Sequence, residues 1–130
     1  SYRESGGGMQ WGVTNTPITY DPPISESSEL NVVLDEDLGG EDIVGCYRQE
    51  EPARQLVNLT EIPVLFLNGE GSYHRIVDHC LAHWLNQAGV ETEYVRLEEV
   101  GLPGNGHEMM LELNSKGISD YIGGWLEETL

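Results

Sequence analysis

The chain has 130 residues, the size of one ordinary domain, and its 38% hydrophobic and 22% charged residues fit a folded protein rather than a disordered one. Six basic residues stand against 23 acidic ones, a formal net charge of -17, and such a surface repels phosphate backbones and anionic membranes, which argues against nucleic-acid and lipid-surface roles. No apolar run approaches the ~20 residues of a membrane span, and no signal-peptide pattern is visible.

Ser1 to Gly8 read as an exposed, flexible end. From Trp11 to Glu51 regular periodicity is hard to find. The stretch from Trp11 to Pro23 mixes aromatics with turn-formers, and we expect an ordered, extended excursion because Trp11, Ile18 and Tyr20 need burial. Leu30 to Leu34 is strand-like. The acidic cluster of Asp35, Glu36, Asp37, Glu41 and Asp42 lacks EF-hand spacing and reads as a solvated loop rather than a cation site. Two cysteines, Cys46 and Cys80, permit one internal disulfide, bonds to another chain, or two free thiols. Asn58-Leu59-Thr60 is a glycosylation sequon with Asn58 as acceptor. With the even cysteine count and the acidic surface, it leans the reading towards a secreted, extracellular protein.

Regular structure becomes legible after Pro52. Ala53 to Leu59 reads as a short helical turn. Ile62 to Leu67 is a continuous apolar run that suits a parallel strand buried on both faces. Arg75 to Ala88 follows as a helix, with Ile76, Val77, Cys80, Leu81, Trp84, Leu85 and Ala88 on one stripe and Gly89 as its C-terminal cap. Val90 to Leu97 is a second strand, so the order is a βαβ unit with parallel strands. Asn114 or Ser115 opens the last helix, where Ile118, Tyr121, Ile122, Trp125 and Leu126 repeat at helical spacing. The fold class is therefore α/β. Two or three parallel strands need further strands beside them and helices on both faces. We expect the sheet to be completed by a second chain, or by a part of the precursor cut away.

Between the second strand and the last helix lies Gly104-Asn105-Gly106-His107-Glu108-Met109-Met110. Its glycines allow left-handed or tight geometry, and Met109-Met110 reads as packing beneath the loop. Histidine, with an unperturbed pKa near ~6.5, is the usual proton carrier at neutral pH. Functional loops gather at the carboxyl ends of strands in open α/β sheets, so the location of His107 suits catalysis. A competing reading is a capping loop with a structural His. No G-x-S-x-G elbow is present, and Ser72 in Gly71-Ser72-Tyr73 lacks that context. His79 and His83 stand at i, i+4 around Cys80, a spacing that can hold a metal. The two project away from the apolar stripe that carries Cys80, so exposed, unliganded histidines and no metal site are expected.

From Trp11 to Leu130 the chain resembles the C-terminal part of a fungal secreted-type α/β-hydrolase, a group related to a bacterial esterase family of the same fold. The resemblance rests on Trp11-Gly12-Val13-Thr14, Tyr20-Asp21-Pro22-Pro23, Glu51-Pro52-Ala53-Arg54 and Ile62-Pro63-Val64-Leu65. It continues through Ser72-Tyr73-His74, Asp78-His79-Cys80 and, most specifically, Gly104-Asn105-Gly106-His107 running into Met109-Met110. It implies that His107 is the general base of a Ser-His-acid triad in a serine esterase that acts on small ester-type substrates without a cofactor. It also implies that the nucleophile elbow, the oxyanion donors and the acid precede Ser1, on a partner chain of a proteolytically processed heterodimer. Nothing in this chain matches the nucleophile or that acid.

On this resemblance residues 1-51 form a lid- or pocket-like excursion with a flexible N-terminus. Residues 52-130 form the β-α-β-(His loop)-α part of the hydrolase domain. Glu70 follows the first parallel strand, near where many such enzymes carry their acid, and is a backup for the orienting role. Otherwise it is a turn carboxylate. Tyr73 and His74, in the same loop, are candidates for the substrate pocket. The alternative from another class is a non-catalytic acidic binding module with hydrolase-like architecture.

Overall fold

A computed structural model describes residues 9–130, so the expectation for Ser1 to Gly8 lies outside the described residues. Among the described residues four strands and two α-helices run in the order β1 (Val32–Asp35), β2 (Cys46–Gln49), β3 (Val64–Asn68), α1 (Asp78–Gln87), β4 (Thr92–Arg96) and α2 (Ser115–Thr129). Strands β1 and β2 pair antiparallel, from Val32 opposite Gln49 to Asp35 opposite Cys46. Strands β3 and β4 pair parallel, from Val64 opposite Thr92 to Asn68 opposite Arg96. The result is a small mixed α/β body with a parallel pair and no completed sheet among the described residues. That openness leaves Val64 to Leu67 half-buried rather than buried on both faces as the apolar run predicts.

Helix α1 is shorter than its apolar stripe suggests. Tyr73–Ile76 form a 3₁₀ turn, and the α-helix begins at Asp78, leaving Ile76 exposed. Its far end matches the expectation. Gly89 has φ +83, its N–H donates to the Asn86 carbonyl, and the Val90 N–H reaches back to Leu85, the hydrogen-bond pair of a Schellman cap. Ala53 to Leu59 is extended and then turned rather than helical; Leu56 is fully buried while Val57 is exposed. Helix α2 starts where the pattern places it, with Asn114 as its N-cap, but only Ile118 of its stripe is buried.

The core gathers Trp11, Tyr20, Leu30, Leu56, Trp84, Leu85, Ala88 and Val90, so the excursion before β1 packs on α1. The Tyr20 hydroxyl donates to the Trp11 carbonyl at 2.7 Å and accepts from Trp84 Nε1 at 3.0 Å. This satisfies two aromatic polar groups inside an apolar cluster, where an unpaired one costs about 1–3 kcal/mol. The cysteine alternatives resolve to an internal bond, Cys46–Cys80, which ties β2 to α1. Gln87 reinforces that seam by accepting from the Gln49 N–H and donating to the Gln49 carbonyl.

Candidate active site around His107

Two loops leave the carboxyl ends of the parallel strands and pack on each other. After β3 come Gly69, Glu70, Gly71 and Ser72; after β4 a 3₁₀ turn over Leu97–Val100 leads into the loop that carries His107. The Gly71 N–H donates to the Asn105 carbonyl at 2.8 Å, and Arg75 pairs with Glu98 at 2.8 Å. Gly69 lies directly against the backbone carbonyls of Asn105 and Gly106, where any β-carbon would overlap them. Asn105, 1% exposed, donates its side-chain amide to the Leu102 carbonyl. Gly104 takes the left-handed conformation with φ +79, whereas Gly106 does not; its N–H is held instead by the Glu112 carboxylate at 2.9 Å.

His107 sits exposed at the rim of this junction. Its Nδ1 lies 3.4 Å from Ser72 Oγ, at the long end of hydrogen-bond distance. Ser72 is buried and caps the 3₁₀ turn by accepting the His74 N–H at 3.2 Å. Ring contacts hold the imidazole on two sides. His74 stacks on it at 4.6 Å with 15° between the planes, and Tyr73 tilts against it at 4.7 Å. His107 Nε2 has no hydrogen-bond partner among the described residues. The arrangement leaves that nitrogen open to take or give a proton, with Nδ1 facing a hydroxyl.

The other expected residues fall as follows. Glu70 makes no hydrogen bond to His107; its carboxylate accepts the Gly104 N–H at 2.8 Å and so buttresses the loop. Tyr73, 68% exposed, and His74 both line the imidazole. Asn58 is exposed. His79 and His83 are half-buried rather than exposed. His79 donates Nε2–H to the Val44 carbonyl at 2.8 Å, and burial pushes the His83 imidazole below the usual histidine range. His79 gathers with Cys46 and Cys80, not with His83. Both sulfurs are consumed by the disulfide, so no thiolate is left to ligate a metal. Met110 is 66% exposed and does not pack beneath the loop, because the short 3₁₀ turn over Met109–Leu111 turns it outward.

Asn68 and Glu112 carry no local signal in the sequence, and Asp78 enters it only through the Asp78-His79-Cys80 resemblance. Folding gives each a partner: Asn68 donates to Asp78 at 2.9 Å, Asp78 faces His74 Nδ1 at 3.3 Å, and Glu112 accepts the Gly106 N–H.

The chain is 34% identical over 128 residues to a protein of Fungal sp. (strain ATCC 74256) named probable secreted lipase phiG, a match that covers 98% of this chain. It is related in sequence to that lipase over nearly its whole length, and it spans about a third (35%) of the lipase's own length. No family model and no solved structure matches the chain. No helix among the described residues is long and apolar enough to cross a membrane.

Proposed function

We propose that this chain carries the general base of a secreted serine esterase and that His107 is that base. The observation that carries the reading is the state of the imidazole. It stands at the carboxyl ends of two parallel strands, clamped by Ser72, Tyr73 and His74, with Nε2 unengaged by any described residue. In the reaction Nε2 takes the proton of a serine hydroxyl as that oxygen attacks the acyl carbonyl. It then returns the proton to the departing alcohol, and repeats both steps with water. Ser72 holds the Nδ1 side and so limits rotation of the ring.

The nucleophile, the triad acid, the oxyanion donors and the rest of the sheet are supplied by polypeptide beyond these residues, a partner chain in our reading. The unpaired edge of β3, and a related lipase about three times as long, support this. Tyr73, exposed and tilted against the imidazole, and the exposed Met110, Leu111 and Leu113 that follow His107 in the chain suit an apolar acyl substrate. Secretion is supported by the name of the related lipase, by the Cys46–Cys80 bond and by the exposed sequon at Asn58.

A fluorophosphonate probe added to the complete enzyme tests the reading. The expected result is one labelled serine on polypeptide outside this chain, with labelling lost in His107→Ala. Absence of labelling on any polypeptide would favour the non-catalytic binding module.

A further inference from the structure

A loop imidazole that must accept a proton needs its ring plane fixed and its charged form supported. In a Ser-His-carboxylate triad one carboxylate at Nδ1 does both. Among the described residues the group at Nδ1 is the uncharged Ser72 hydroxyl. A carboxylate does stand nearby, one ring further back. Asp78, 8% exposed, accepts from His74 Nδ1 at 3.3 Å, and it is the face of His74 that carries His107.

Asp78 is itself fixed from the sheet. Asn68 at the end of β3 donates its side-chain amide to Asp78 Oδ2 at 2.9 Å, and the Tyr94 hydroxyl of β4 donates to Asn68 Oδ1 at 2.7 Å. A chain of hydrogen bonds thus runs from β4 through β3 to the first residue of α1 and on to the His74 ring. Polarised chains of this kind are strengthened in a low-dielectric interior. A neutral imidazole that donates Nδ1–H to a carboxylate gains electron density on its face, and such a face attracts a cation stacked on it.

We propose that Asp78 and His74 are positioning residues for His107: the buried carboxylate orients His74, and the His74 face fixes the His107 ring and supports its protonated form. The proposal rests on the esterase reading for its catalytic meaning, but the coupling between the rings is measurable without turnover.

The test is the imidazole ¹⁵N spectrum of the labelled protein. Asp78→Asn is expected to move the His107 Nδ1 and Nε2 resonances. His74→Phe, which keeps an aromatic face but loses the bond to Asp78, is expected to move them the same way, and the double variant no further. His107 resonances that stay at their unaltered positions in His74→Phe, or in a folded Asp78→Asn, would overturn the proposal. In the complete enzyme each variant is expected to lower kcat by about tenfold at unchanged KM, the signature of misplacement rather than lost binding. Unaltered kcat would also overturn it. No fluorophosphonate labelling of the unaltered complete enzyme, with the spectroscopic coupling intact, would count against the esterase reading alone.

Discussion

At the residue scale, the site depends on a place where two backbones meet without room for a side chain. Gly69 touches the carbonyls of Asn105 and Gly106, in a loop fixed by the Asn105 side chain on the Leu102 carbonyl and by the Glu112 carboxylate on the Gly106 N–H. Gly69→Ala must therefore push the two loops apart. We expect a destabilisation of about 2 kcal/mol by urea unfolding, together with loss of the Ser72–His107 contact. An alanine variant as stable as the parent would show that the junction is looser than described. At this scale the sequence is informative about what a residue can do and silent about whom it meets. The run Gly104-Asn105-Gly106-His107 already marks a turn that presents an imidazole. That Ser72, 35 positions earlier, would occupy Nδ1 is not readable, because a serine in a turn usually caps its own backbone, and Ser72 does that too.

At the element scale, long apolar stripes and glycine stops are legible. Both α-helices and the parallel pair exist where periodicity puts them, though α1 begins three residues later than its stripe suggests and the strands are shifted or shorter at their ends. The antiparallel hairpin is not legible in full. Cys46–Gln49 offers only four residues, with burial at its two ends and none of the alternation that reveals a half-buried strand. What fixes that strand is covalent and long-range. The Cys46–Cys80 bond closes a separation of 34 residues, and loop-closure entropy assigns it about 3–4 kcal/mol. Replacing both cysteines by alanine is expected to lower unfolding stability by about that amount in urea. A loss below about 1 kcal/mol would mean that Gln49–Gln87 pairing holds the seam alone.

At the scale of the whole molecule, the described basic groups are largely engaged. Arg48 pairs with Asp35, Arg75 with Glu98 and Lys116 with Asp120, and Arg54 reaches the Pro22 carbonyl. The net charge of -17 that remains disfavours anionic partners for the chain as a whole. The fold class is legible from the order of elements, and the incomplete parallel layer from the count of strands. The helix stripe that stays half-exposed on α2 and the open side of β3 appear only in three dimensions, because burial depends on neighbours that one segment's pattern does not name.

The proposed reading rests on one imidazole, His107, as the proton carrier for an ester-cleaving serine. The most direct measurement is turnover of a small ester by the complete enzyme carrying His107→Ala, with folding checked by circular dichroism. A fall in kcat of at least about four orders of magnitude is the result expected here. Turnover near that of the unaltered enzyme would contradict it.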